Sequence, residues 1–175
     1  MTDIQKARDF AEVAHKGQTR KSAGSEPYFI HLEEVAAHVT RFGGSEVAIM
    51  AAWLHDTVED CGVTRTEIAA TFGETVAAVV AELTDDKSLP KPERKRMQLV
   101  NAPKKSADAA LVKLCDKMSN VRAVGMNPPV HWPQERKLAY VDWAESVVQG
   151  LPSVSSAATD AFAEAVQATR AALSS

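Results

Sequence analysis

SEVAIMAAWLHDTVED, residues 45–60, decides the fold and raises the question of function. From Val47 to Leu54 every position is apolar, so a helix here is hydrophobic all round and belongs among other helices. The run then passes without a break into His55, Asp56, Glu59 and Asp60. A carboxylate carried into an apolar interior must be paired, protonated or bound to a cation, because an isolated buried charge is very costly. The spacing predicts one central helix ending in an imidazole and three carboxylates that something has to hold.

Working outward, the remaining segments also read as helices. DIQKARDFAEVAHKG places Ile4, Ala7, Phe10, Ala11 and Ala14 on one face and stops at Gly17. FIHLEEVAAHVTRFGG repeats the pattern through Leu32, Val35, Ala36 and Val39 and stops at Gly43-Gly44. Thr64 and Glu67, three apart, form a capping box ahead of TRTEIAATFG, and TVAAVVAELT follows. Pro92 stands near the start of PERKRMQLVNA. ADAALVKLCDKMSNVRAV is a second strongly apolar helix, halted by Pro128-Pro129, and two amphipathic segments complete the chain. Loops are expected near 18–29, 60–63, 86–91 and 124–131, with no strand alternation and no repeat. The expectation is an all-α helical bundle of about eight or nine helices.

Composition limits what such a bundle can do. At 175 residues, 45% apolar and 25% charged, the chain can bury a real core and is neither disordered nor membrane-spanning in character. Its apolar runs fall well short of the roughly 20 residues a span needs, and the polar N-terminus lacks a signal-peptide core. Cys61 and Cys115 make no metal or disulfide pattern, so a cytoplasmic setting with reduced, inert thiols is expected. A net charge of −3 argues against duplex nucleic acid as a partner. Charge is nonetheless local: HKGQTRK (15–21) and KPERKR (91–96) are basic, HDTVED is acidic.

Asp116, inside LVKLCDKMSN, is a second charge where a core should be, and Lys113 or Lys117 could satisfy it as a salt bridge. Taken with His31, His55 and Asp56, however, it completes an N/O donor set suited to Mn²⁺, Fe²⁺ or Zn²⁺ rather than Ca²⁺. His15, His38 and His131 lack an acidic neighbour and read as surface or core histidines. Glu59 and Asp60 return to the dyad's side of a helix, either as an exposed acidic end or as a base for a metal-activated water. Arg20, Lys21, Lys91 and Arg136 could clamp an anionic substrate, and phosphate matches Arg's fork. Metal, carboxylate base and basic clamp together point to phosphoester or phosphoanhydride hydrolysis.

These segments, in this order, resemble the HD-domain alarmone hydrolases: the hydrolase half of the Rel/SpoT proteins and their stand-alone short forms of the metazoan SpoT homologue type. HKGQTRKSAGSEPYFIH, AAWLHDTVED, FGETVAAVVAELTDDKSLPKPERKRMQL, LVKLCDKMSNVR and WPQERKLAYVDWAESVVQGL carry the likeness. The resemblance implies a single HD-type phosphohydrolase domain over residues 1–175, with a core at about 5–150 and a C-terminal helix at about 155–173 that caps the fold or mediates association. No synthetase domain is expected after it, because the sequence ends at Ser175. By position, His31, His55, Asp56 and Asp116 are implied to ligate one Mn²⁺, and Glu59 and Asp60 to place and activate the attacking water. Arg20 and Lys21 match a loop contacting base and phosphates, with Tyr28 on the same wall; Asn120 matches a ribose contact, and Lys91 and Arg136 match residues holding pyrophosphate groups.

The implied reaction removes the 3′-pyrophosphate from guanosine tetra- or pentaphosphate, the stringent-response alarmones, or from adenosine analogues. Two positions depart from the family pattern. A Pro that commonly follows the first metal histidine is Leu32, which bears on the helix start. CDKMSN replaces ADR.HN, with Ser119 for a histidine, which bears on the base and ribose contacts. Two further readings stand beside this one: an HD phosphatase acting on NADPH or a nucleoside monophosphate, and a non-catalytic alarmone-binding module.

Overall fold

A computed structural model describes residues 2–22 and 24–174. Ten α-helices and one 3₁₀ turn make up the fold among the described residues: α1 (Asp3–Ala14), α2 (Phe29–Arg41), α3 (Glu46–Leu54), α4 (Thr57–Cys61), α5 (Arg65–Phe72), α6 (Glu74–Leu83), α7 (Lys91–Asn101), α8 (Ala107–Met126), α9 (Gln134–Gly150) and α10 (Ser156–Ser174). The only β pairings among these residues are two isolated bridges, Thr19 with Pro27 and Ser22 with Pro129, which fold the α1–α2 loop on itself and tie it to the α8–α9 loop.

All nine expected segments are helical, and one of them is broken in two. The run predicted as a single helix over 45–60 stops at Leu54 and restarts at Thr57. Asp56 takes φ −100° and ψ −5°, and the Thr57 hydroxyl donates to the Leu54 carbonyl at 2.7 Å, satisfying one of the acceptors that a helix end exposes. Gly62, at φ 72°, then ends α4 in the left-handed conformation that a side chain would strain. The loop expected at 124–131 also starts later, because α8 runs through to Met126.

Capping follows the sequence cues. Thr64 and Glu67 form the expected capping box, and the Ser45 and Ser106 hydroxyls cap α3 and α8. α2 starts at Phe29, two residues ahead of His31, and Leu32 lies fully buried within it, so the missing proline leaves the histidine inside the first helical turn.

α3 sits against α1, α2, α6 and α8, and Ala48, Met50, Ala51, Ala52, Trp53 and Leu54 are buried there. α8 is the second axis, with buried residues from Ala109 to Val124. α10 packs along α8 through Ala158, Phe162, Ala165 and Val166, and the Thr169 hydroxyl donates to the Val121 carbonyl at 3.0 Å. The C-terminal helix is thus packed onto the rest of the bundle. No helix is long and apolar enough to cross a membrane among the described residues.

Candidate active site

The break between α3 and α4 explains how consecutive residues face one centre. On an unbroken helix neighbouring side chains diverge by about 100°. Here His55 Nε2 and Asp56 Oδ2 lie 3.1 Å apart. His31 from α2 brings its Nε2 to 3.8 Å from Asp56 Oδ2 and 3.3 Å from Asp116 Oδ1, and His55 Nε2 is 3.8 Å from the same Asp116 oxygen. His31, His55 and Asp116 are all buried and offer ligand atoms within 4.8 Å of one another. The four residues that the sequence marked as one donor set are thus brought together by three separate parts of the chain.

Each imidazole is held from behind. His55 Nδ1 lies 2.8 Å from the Ala52 carbonyl, which can only accept, so Nδ1 carries a proton and Nε2 is the nitrogen turned to the cluster. His31 Nδ1 is 2.9 Å from Ser119 Oγ, and that hydroxyl donates to Glu34 Oε2 at 2.6 Å, leaving its oxygen to accept from His31. This is the outer support that metal-ligating histidines receive. His55 Nε2 is buried with no hydrogen-bond partner. An orphaned imidazole nitrogen, a second one turned the same way and two carboxylates fit a divalent metal.

Charge around the cluster is strongly perturbed. Burial lowers the His31 imidazole below its ordinary range despite the nearby Asp116. Burial opposes the charged form of His55 as well, but Asp56 and Asp116 prevail and push it up to about 9. Asp56 is held below the usual carboxylate range against burial by His55, and Asp116 is held low chiefly by Lys117 and Lys113. The salt bridge and the metal site, which read as alternatives for Asp116 in the sequence, use different oxygens. Oδ2 lies 3.6 Å from both lysine Nζ atoms, while Oδ1 faces the histidines.

Two cavities adjoin the cluster. One, about 250 Å³, is lined by Arg20, Lys21, Tyr28, Asn120 and Val124 among others. The other, about 670 Å³, holds Glu59, Asp60, Lys91 and Arg136. Lys21, Trp132 and Tyr140 belong to both, so the cavities meet along that wall. The larger has seven basic side chains on its lining against three acidic ones, a field set for a polyanion.

The catalytic candidates differ in setting. Glu59 is half-buried; its Oε2 accepts from the Asp85 amide at 3.2 Å, and Arg94 lies 3.8 Å from Oε1. Burial, helped by the charges of Asp85, Asp56 and Asp60, raises its pKa above the usual 4.5. Asp60 is exposed and paired with Lys87 at 2.5 Å.

The substrate-side candidates fall into two groups. Lys91, Arg136 and Lys21 line cavity walls. Arg20, Tyr28 and Asn120 also brace the cluster: Arg20 Nη2 donates to Asn120 Oδ1 at 3.1 Å, Asn120 Nδ2 donates to Asp116 Oδ1 at 2.7 Å, and Tyr28 Oη donates to Asp56 Oδ2 at 2.5 Å. Sequence reasoning missed the Ser119–Glu34 support, since Ser119 was weighed only for nucleoside contacts, and it missed Lys95, Lys117 and Trp143 on the larger cavity. For Ser119 the signal was available: on α8 it sits three residues after Asp116. His15 is a buried histidine stacked on Tyr28, with centroids 5.1 Å apart; His38 is half-buried and His131 exposed.

Comparison with known proteins follows the same lines. Residues 7–141 match the HD domain family. A Xenopus tropicalis protein named guanosine-3′,5′-bis(diphosphate) 3′-pyrophosphohydrolase MESH1 is 44% identical over 155 residues, covering 87% of each chain. Its human counterpart of the same name is 44% identical over 150 residues, covering 85% of this chain and 84% of its own. A solved structure of a metazoan SpoT orthologue, described as hydrolysing ppGpp and playing a role in starvation responses, superposes with a TM-score of 0.91 at 36% identity over 95% of both chains.

Proposed function

The chain belongs to the HD-domain family and groups there with the MESH1-type 3′-pyrophosphohydrolases, and on that footing we propose that it removes the 3′-pyrophosphate of guanosine tetra- or pentaphosphate in a manganese-dependent hydrolysis. The observation that carries this reading is the pairing of cavities. A smaller chamber next to Asn120 suits a nucleoside and a larger basic one next to Lys117 suits its phosphates, with Asp116 flanked by both residues.

His31, His55, Asp56 and Asp116 would hold the ion. When bound, a divalent metal offsets the buried carboxylates and lowers the pKa of water at the site by several units. Glu59 takes the water's proton, and its raised pKa suits a base working closer to neutrality than an ordinary glutamate. Asp60, anchored by Lys87, orients the attacking water. Lys91 and Arg136 hold phosphate groups, Lys21 stands where the two chambers meet, and Arg20, Tyr28 and Asn120 line the nucleoside chamber. Because α10 closes on the helix that carries Asp116, residues 1–175 work as one unit in this reading. The free thiols of Cys61 and Cys115 suit a cytoplasmic setting.

Purified protein incubated with Mn²⁺ and guanosine or adenosine tetraphosphate, resolved by anion exchange, tests the proposal and ranks the bases. Expected are nucleoside diphosphate and pyrophosphate from wild type and neither from Asp56→Asn. If both nucleotides survive intact, or if Asp56→Asn matches wild type, the reading falls.

A further inference from the structure

The larger cavity holds its cations in two different ways. Lys87 and Arg94 face the carboxylates of Asp60 and Glu59, which cancel much of their charge. Lys95 and Lys117 instead rest on the Trp143 ring, with Nζ 4.5 and 4.4 Å from its centroid. An aromatic face holds an ammonium through its quadrupole without neutralising it, so such a cation stays available to an anion. Trp143 is itself fixed, because its indole N–H donates to the Lys95 carbonyl at 3.2 Å and Tyr140 packs 5.4 Å away. Lys95 makes no ion pair with a carboxylate among the described residues, and burial together with Lys91, Lys117 and Arg136 holds its pKa down. Lys117 keeps Asp116 Oδ2 at 3.6 Å, but Lys95, crowded by like charges on the same rigid ring, has no carboxylate to balance it and describes a seat whose counter-ion is a ligand.

Position says which ligand. Lys117 is 4% exposed, and its Nζ stands between the Trp143 ring and Asp116 Oδ2, whose other oxygen faces the two histidines. A phosphate on this ring therefore lies on the reacting side of the nucleotide. Resting on the hydrolase reading above, we propose that Lys95, Lys117 and Trp143 form the subsite for the terminal phosphate of the 3′-diphosphate, and hold inorganic pyrophosphate after cleavage. In that step the water oxygen bonds to the phosphorus carried by O3′, the O3′–P bond breaks, and the proton taken from water ends on O3′. The diphosphate stays on the ammonium pair while the nucleoside diphosphate is freed.

The test is calorimetric titration of the Mn²⁺-loaded protein with inorganic pyrophosphate, alongside steady-state kinetics on guanosine tetraphosphate. Lys95→Met should weaken pyrophosphate binding about tenfold, the loss of one charged contact. KM should rise and product inhibition should ease in parallel. Metal content and Tm should match wild type, and Lys95→Arg should recover most of the affinity. Trp143→Leu should weaken binding as well, whereas exposed Lys104→Met should leave it unchanged. If wild type turns over the nucleotide and Lys95→Met binds pyrophosphate within twofold of it, this inference falls and the hydrolase reading stands. If wild type fails to turn over the nucleotide while Lys95→Met still loses pyrophosphate, the subsite stands and the hydrolase reading falls.

Discussion

His55 is useful because of the Ala52 carbonyl behind it. An imidazole can offer Nε2 to a metal only when Nδ1 carries the proton, and an acceptor 2.8 Å away fixes that tautomer. His31 reaches the same state through Ser119 and Glu34. Ser119→Ala should therefore fold normally but bind its metal about 10–100-fold more weakly, the cost of losing an outer partner, as read by competitive chelator titration. Metal affinity equal to wild type would remove Ser119 from this role. Glu59 gives a second prediction. Activity needs its ionised form, and its pKa is raised, so at saturating Mn²⁺ the acid limb of kcat/KM should lie above the usual 4.5. Asp85→Asn removes one of the charges that raise it, so the limb should move to lower pH; an unmoved limb would take Glu59 out of the base role. At this scale the residues proposed to hold the metal stand out in the sequence because their type and order along the chain mark them, and the structure brings His31, His55 and Asp116 together. Of the supports, Ser119 could be placed by its spacing of three from Asp116, but its partner Glu34 lies 85 residues away and no local pattern links the two.

At the scale of elements, capping boxes and helix stops were readable because they depend on residues three or four apart. The break between α3 and α4 was hidden. VAIMAAWLHDTVED keeps helical spacing throughout, and only the Thr57 hydroxyl reaching the Leu54 carbonyl marks where one helix yields to the next. α8 and α10 illustrate a different constraint. A Cβ at Gly125 would come within 2.9 Å of Thr169 Oγ1 and 3.1 Å of its backbone Cα, so the helices approach closely there. Gly125→Ala should cost about 1–3 kcal/mol by overpacking, lowering Tm and the urea midpoint. A variant as stable as wild type would show that the contact can relax. Because Asp116 sits on α8, some loss of metal affinity should accompany that destabilisation.

The whole molecule carries a net charge of −3 while enclosing a strongly basic cavity, so overall charge argued against nucleic acid but concealed that local field. Lysines and arginines from the α1–α2 loop, α7, α8 and α9 assemble that field, and only the fold brings them together. One half-buried lysine outside the cluster ties charge to stability. Burial and nearby Lys113 lower Lys105 from 10.5 to about 8. Between those values the folded chain binds fewer protons than the unfolded one, so the cost of burying this ammonium is full below about 8 and is relieved as pH rises toward 10.5. Urea melts from pH 7.5 to 10 should show stability rising in that window, with a smaller rise for Lys105→Met; identical slopes would contradict the assignment.

³¹P NMR of guanosine tetraphosphate with the Mn²⁺-loaded protein follows the proposed reaction directly. The account predicts loss of the 3′-diphosphate resonances with equimolar growth of inorganic pyrophosphate and GDP, halted by chelation and absent in Asp116→Asn. Orthophosphate as the first product, or a spectrum that never changes, would contradict it.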